Sequence, residues 1–271
     1  MASPSSIIEQ SVGLSKITVA YSRPATRGRT IFGNRADGQA GVVPYGRIWR
    51  VGANESTKIT FDTDVDIMGK PLLKGTYALY AFPDAKEWEL VFHNNITHWG
   101  DGRTAYNSQE DALRVKVKPK HTLNYQENFL ISFDDVTHNT AVLSLLWANT
   151  KINIPIAFNT QALMEVHIKE QLNQNPTAQT YYEIARYYQE QGSAQEQSLV
   201  YLDKAIALGG DTYYCNRVKS LVQASLGAYE AAIQSAQKSL EIADSLGKDE
   251  FVRMNQKNII DWKIRLKQEN E

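Results

Sequence analysis

The chain has 271 residues, with 29 Lys and Arg against 30 Asp and Glu and a formal net charge of −1. That length allows two domains of ordinary size, and the near-zero charge excludes a global field drawing the protein to nucleic acid or an acidic membrane. A single cysteine, Cys215, excludes an intrachain disulfide, and the longest mostly apolar run, Ala141 to Ala148, is less than half of the ~20 residues a membrane-spanning helix needs.

The opening Met1-Ala2-Ser3-Pro4-Ser5-Ser6 has neither the charged start nor the apolar core of an export leader, and the sequence leaves open whether one preceded it. Residues 1–160 hold 11 of the 16 glycines and 7 of the 8 prolines, a punctuation that suits short strands joined by turns. Strand signals follow in order: Ile17 to Tyr21, Lys58 to Phe61, then Val65 to Ile67 and Leu72-Leu73 flanking a Gly69-Lys70 turn. Thr76 to Phe82 and Trp88 to Phe92 read as an antiparallel hairpin across Pro83-Asp84-Ala85. Further runs are Leu113 to Val117, Phe129 to Phe133, Val142 to Trp147 and Lys151 to Ile156. About nine short strands with period-2 alternation predict an antiparallel β-sandwich or jelly-roll-like domain over 12–158.

The period then changes. Tyr181, Ile184, Ala185 and Tyr188 recur at i, i+3, i+4 and i+7, one face of a helix. Helical patterns continue through Leu199 to Ile206, Val218 to Ser225, Tyr229 to Leu240 and Phe251 to Leu266, after an opening helix at Leu163 to Leu172. Gly192 and Gly227 each separate two helices, and Ala205 and Ser239 stand 34 residues apart, the tetratricopeptide period. The expectation is an α+β chain whose second domain, over 161–268, is all-α and tetratricopeptide-like. Two such units fall short of the roughly three that bury a solenoid core, so the first and last helices are expected to cover the ends. Cys215, in a helical pattern beside Tyr213 and Tyr214, reads as a buried thiol.

Chemistry concentrates between Ile17 and Thr57. This stretch has six of the twelve arginines (Arg23, Arg27, Arg29, Arg35, Arg47, Arg50), no lysine, and only Asp37 and Glu55 as acids. A guanidinium fork binds carboxylate, sulfate or phosphate in bidentate fashion and tolerates partial burial, where an ammonium would serve solubility alone. One reading is a site for an anionic small molecule or glycan, with Arg23, Arg29 and Arg50 as clamps, Trp49 as a wall, and Asn54 and Glu55 as polar anchors. The other is a structural network in which the same arginines tie long loops to the sheet.

Remaining signals are weaker. His93 and His98 are five apart, but a metal pair needs a third ligand and a supporting hydrogen bond, so they read as polar residues of a hairpin or loop tip. No metal or other cofactor is expected. Asp62, Asp64 and Asp66 alternate as a solvated strand face or turn. Trp88 and Trp147 read as core, and Trp99, followed by Gly100-Asp101-Gly102, as the best exposed aromatic. Glu55 could act as a general base if buried, though no nucleophile stands at a recognisable spacing.

Tyr21-Ser22-Arg23-Pro24, Gly28-Arg29, Ile31-Phe32-Gly33, Val43-Pro44-Tyr45-Gly46 and Trp49-Arg50-Val51-Gly52-Ala53-Asn54-Glu55 resemble an uncharacterised family of secreted bacterial proteins found mostly in Bacteroidetes. Lys74-Gly75-Thr76-Tyr77 and Trp99-Gly100 extend the resemblance over about 12–157, and the tail is similar to the helical extension some members carry. The resemblance implies an exported, periplasmic or surface-attached protein. It implies more than a filler role for Arg23, Arg29, Arg50, Asn54 and Glu55. The expected function is a non-catalytic binding or assembly protein of the cell envelope, with a peptide or protein partner for the helical domain. The alternative is a hydrolase or lyase on a cell-envelope glycan or peptide, with Glu55 as base.

Overall fold

The computed structural model describes residues 3–98 and 105–269. The chain divides into two compact units, residues 1–164 and 165–271.

Among the described residues, the first unit holds ten strands: β1 (Ser5–Val12), β2 (Ser15–Ser22), β3 (Thr57–Phe61), β4 (Val65–Ile67), β5 (Lys70–Leu72), β6 (Gly75–Phe82), β7 (Trp88–His93), β8 (Asp111–Val117), β9 (Lys120–Asp134) and β10 (Thr140–Phe158). They form a six-stranded sheet in the order β1-β2-β3-β6-β7-β8 and a four-stranded sheet in the order β5-β4-β10-β9. Every pairing is antiparallel. The period-2 alternation puts Ile17, Val19 and Tyr21 of β2, Ile59 and Phe61 of β3, and Leu90 and Phe92 of β7 into one apolar cluster. Phe129 and Ile131 of β9 and Leu145, Trp147, Ile152 and Ile154 of β10 join it from the other sheet. Burying apolar side chains of this size contributes about 1.5–3 kcal/mol each, so this shared face holds the two sheets together. Trp88 and Trp147 are core, as their patterns predict.

The structure differs from the expected strands most clearly at β1 and β10. β1 is paired with β2 over its full length, from Ser5↔Ser22 to Val12↔Ser15. It is an edge strand whose residues are mostly exposed, so backbone hydrogen bonding rather than hydrophobic patterning defines it. Val142 to Trp147 and Lys151 to Ile156 are one strand, β10, whose register with β9 shifts on both sides of Ala148. Ala148 has φ +51°, and such bulges bend a long strand without ending it. The three aspartates do not make a solvated strand face. Asp62 accepts the Lys16 N–H at 2.7 Å, Asp64 the Lys74 N–H at 2.8 Å and Asp66 the Gly69 N–H at 2.5 Å. Each satisfies a turn donor that would otherwise lack a partner.

The long β2–β3 connection is tied down along its length. Phe32 bridges Val43, Asn34 bridges Ala40 and Trp49 bridges Ala81 of β6. Gly33 has φ +78°, and a Cβ there would stand 2.5 Å from the Tyr45 ring, so the close approach of Tyr45 requires glycine.

The unit boundary falls within α1 (Thr160–Leu172). The helical unit continues with α2 (Ala178–Glu190), α3 (Gln195–Ala207), α4 (Tyr213–Ser225), α5 (Tyr229–Ser245) and α6 (Asp249–Glu269). Thr177 opens α2 with a reciprocal cap to Thr180, and the Thr212 hydroxyl caps α4 at Cys215 N–H. Gly192 and Gly227, at φ +63° and +78°, turn the chain after α2 and α4. α3 and α5 begin at Gln195 and Tyr229, which preserves the 34-residue spacing. Successive helices from α2 to α6 pack on one another. One apolar cluster gathers Ala185, Leu202, Ala205, Cys215 and Val222, and another gathers Ala232, Ala236, Ile259 and Trp262. Small residues at the contacts let the helix axes approach. Cys215 is fully buried, and burial pushes its thiol up to about 11, so it packs as an apolar side chain.

Candidate functional site

The β2–β3 connection brings three arginines to one cavity. Arg27, Arg29 and Arg50 line a space of 340 Å³ with Trp49, Trp147, Pro24 and Pro44. Among the described residues lining it, none is acidic. The local backbone explains how these side chains converge. Arg27 (φ +50°) and Gly28 (φ +70°) form a tight left-handed turn that reverses the chain between the two neighbouring arginines. Val51 sits at φ +51° and Asn54 at φ +63°. A β-branched residue such as Val51 rarely adopts that region. Val51 is fully buried and its carbonyl accepts the Thr57 hydroxyl, so packing and a hydrogen bond hold the strained turn that follows Arg50.

The arginines differ in how they are fixed. The Arg29 guanidinium donates to the Ala25 carbonyl at 2.8 Å and the Thr26 carbonyl at 2.9 Å. These two bonds orient the group at the cavity wall. Glu127 of β9 accepts the Thr26 hydroxyl and, at 2.9 Å, the Arg27 N–H. These bonds, with the charges of Arg27 and Arg29, hold its carboxyl below the usual carboxylate range. Among the described residues, the cavity lining therefore has three arginines and no acid, with the Glu127 carboxyl bonded to the Arg27 N–H beside it, a setting suited to an oxyanion.

Of the other predicted residues, only Trp49 lines this cavity. Arg23 is not a clamp on this cavity: its Nε donates to the Phe129 carbonyl at 3.0 Å, so it pins the loop to β9 as the structural reading proposes. Arg35 pairs with Asp37 at 3.2 Å on the surface. Trp49 does more than form a wall. It is 6% exposed and stacks on Trp147 with ring centroids 6.0 Å apart, and Phe32, Trp88 and Phe129 meet it edge-on. Its indole N–H donates to the Gly52 carbonyl at 3.2 Å.

Asn54 and Glu55 belong to a different cleft, of 780 Å³, lined also by Ile7, Tyr21, Ser22 and Lys58. The Asn54 amide donates to Ser22 Oγ at 3.2 Å and to the Ser3 carbonyl at 3.3 Å. Glu55 is 52% exposed and paired with Lys58 at 2.5 Å. It lies in water, without the enclosed setting that the general-base reading requires. Trp99 lies outside the described residues. Arg27 and Trp147 were not among the predicted site residues. The Arg27-Gly28-Arg29 triplet, two cations around a turn glycine, carries the signal for Arg27; nothing in the local sequence marks Trp147 as a cavity residue.

In the helical unit, α2, α4 and α6 line a groove of 470 Å³ with Tyr182, Arg186, Tyr214, Arg217, Phe251 and Met254. Arg217 donates to Asn255 Oδ1 at 3.1 Å, and burial lowers its pKa. Arg186 is paired with Glu190 at 2.7 Å. No helix among the described residues is long and apolar enough to cross a membrane.

No curated protein and no solved structure matches the chain. Residues 3–156 match the family model described as "Protein of unknown function (DUF2911)". That match spans the whole β unit except its last few residues and covers more than half of the chain, so the protein belongs to the DUF2911 family.

Proposed function

We propose that the protein is a non-catalytic binding or assembly protein of the bacterial cell envelope, whose β unit takes a small anionic ligand, such as an acidic glycan or a phosphorylated or carboxylated compound. One observation carries the reading: Arg27, Arg29 and Arg50 line a single cavity that has no acidic residue among its described lining, with Trp49 and Trp147 in its apolar wall. Charge-assisted hydrogen bonds from guanidinium to an oxyanion contribute about 1.5–3 kcal/mol each. Two of them supply about 3–6 kcal/mol, which spans millimolar to tens-of-micromolar affinity. The helical unit serves as a tetratricopeptide-like platform for a peptide or protein. Its groove mixes tyrosines, two arginines and apolar Phe251 and Met254, a chemistry suited to an extended segment with a carboxylate. Residence in the periplasm or at the cell surface follows from the resemblance set out under the sequence and is part of the proposal. The hydrolase or lyase alternative has weaker support, because Glu55 is solvated and stands at another cleft.

Calorimetry with phosphate, sulfate, glucuronate and galacturonate tests the reading. Saturable binding of at least one anion, lost about tenfold or more in Arg50→Ala and Arg29→Ala, is expected. Heat signals absent for all four, or unchanged in both variants, would refute it.

A further inference from the structure

The outer face of the six-stranded sheet carries a second constellation, remote in sequence from the arginine loop. His93, at the end of β7, is not an exposed loop-tip residue. It is fully buried beneath Tyr80 and Tyr106, with ring centroids at 5.7 and 5.1 Å. Alternation along β7 sends Trp88, Leu90 and Phe92 into the sandwich, so His93 points outward with Val91. Opposite it, the β7–β8 register shifts between Phe92↔Leu113 and His93↔Asp111, leaving Ala112 unpaired. This bulge re-aims Asp111 to the outer face. Without it, Asp111 would share the orientation of Leu113.

We propose that His93, His98 and Glu110 form a binding site for one divalent transition-metal ion of the zinc class. One ligand atom from each of the three lies within 4.8 Å of the others. Glu110 ends the 3-10 turn Ser108–Glu110, and its carbonyl accepts the Asn94 N–H at 2.9 Å, which fixes the turn beside the segment leading to His98. Zinc bonds of about 2.0–2.1 Å place adjacent donors of a tetrahedron roughly 3.3–3.4 Å apart. His93 Nε2 and Glu110 Oε2 already stand at 3.3 Å. His98 has to close by roughly 1.5 Å or less to complete the triangle.

The bonding around His93 selects the metal-binding form of its ring. Nδ1 lies 2.9 Å from Asp111 Oδ1. The Asp111 carboxylate also accepts Tyr106 OH at 2.7 Å and Arg114 Nε at 2.7 Å. A carboxylate so placed accepts a hydrogen bond from Nδ1–H of the neutral ring, which leaves the Nε2 lone pair on the side of Glu110 and His98. This is the support that metal-ligating histidines receive from a neighbouring carboxylate. Nε2 of His93 and Nδ1 of His98 are both buried and have no hydrogen-bond partner among the described residues. Two imidazole nitrogens and one carboxylate suit zinc, cobalt or nickel rather than magnesium or calcium, which prefer all-oxygen sets. Three protein ligands leave a fourth position for solvent or a ligand atom.

The test uses the full chain without a histidine tag, freed of metal by chelator and dialysed. Zinc and cobalt chlorides are titrated by calorimetry and by visible absorbance. The expected result is one ion per chain, with the intense visible bands of tetrahedral cobalt and no displacement by calcium. His98→Gln and Glu110→Gln, both at partly exposed positions, should each weaken zinc about tenfold or more, while His138→Gln and His167→Gln should not. Should the first two variants misfold, histidine NMR of the wild type decides: zinc must move the ring signals of two histidines and leave the other three in place. Absence of saturable one-to-one binding overturns the proposal. So does wild-type affinity in both folded variants, or zinc shifts confined to His121, His138 or His167.

Discussion

Asp111 is the position where a single substitution should show most. Its side chain is 7% exposed and serves three partners at once: His93 Nδ1, Tyr106 OH and Arg114 Nε. In Asp111→Ala the His93 N–H is left buried without its acceptor, which costs about 1–3 kcal/mol. The Tyr106 hydroxyl loses a charged acceptor, a further loss of about 1–2 kcal/mol. Arg114 contributes little to the difference, because it is 37% exposed, stays paired with Glu89 at 3.0 Å, and water replaces the missing carboxylate. The total is about 2–5 kcal/mol, or a fall of roughly 4–20 °C in Tm for a domain of this size. Urea unfolding of the full chain, followed by tryptophan fluorescence with chelator present, measures it. Asp111→Asn keeps an acceptor for His93 and should lose only about half as much. The same network acts on Tyr106: burial first, and then the Asp111 carboxylate, raise its pKa. Its phenol should therefore ionise at lower pH in Asp111→Ala, read by ultraviolet absorbance. A loss below about 1 kcal/mol together with an unchanged Tyr106 titration would refute this account of the β7–β8 bulge.

Two further expectations concern stability elsewhere. Asn255 is fully buried, donating to Ser239 Oγ at 2.8 Å and accepting from Arg217 at 3.1 Å; Asn255→Ala should cost the helical unit about 2–3 kcal/mol, visible as a lower urea midpoint by circular dichroism. Bonds from Lys151 and then Ser144 hold the Asp134 carboxyl below its usual range. Their contribution is therefore complete above the unfolded carboxylate value of about 4 and is lost as pH falls through the lower folded value; Asp134→Asn should flatten the dependence of the urea midpoint on pH in that acid window.

What could be read from sequence follows from where each element gets its stability. The β6–β7 hairpin and the helices α2 to α6 are patterned by burial, so the spacing of Leu79, Ala81, Leu90 and Phe92, or of Tyr181, Ile184 and Ala185, announces them. β1 is held by backbone pairing at a sheet edge and carries a mostly polar sequence, so hydrophobic periodicity misses it. The arginine enrichment was legible as composition. Its division was not, because Arg23 bonding to Phe129 and Arg29 bonding to Ala25 depend on the loop's path. His93 reads as an outward-facing strand residue, and outward ordinarily means solvated. Tyr80, Tyr106 and Ile96 cover that face instead, and the partners Glu110 and Asp111 arrive from 17 and 18 residues away through a bulge that no local pattern marks.

The arginine cavity is tested most directly by anomalous diffraction from crystals soaked in selenate, a heavy analogue of sulfate. The account predicts a selenium peak within hydrogen-bonding reach of the Arg29 and Arg50 guanidinium groups, and its loss in Arg50→Ala crystals. Selenate bound only at other surface arginines, with the cavity holding water alone, would contradict it.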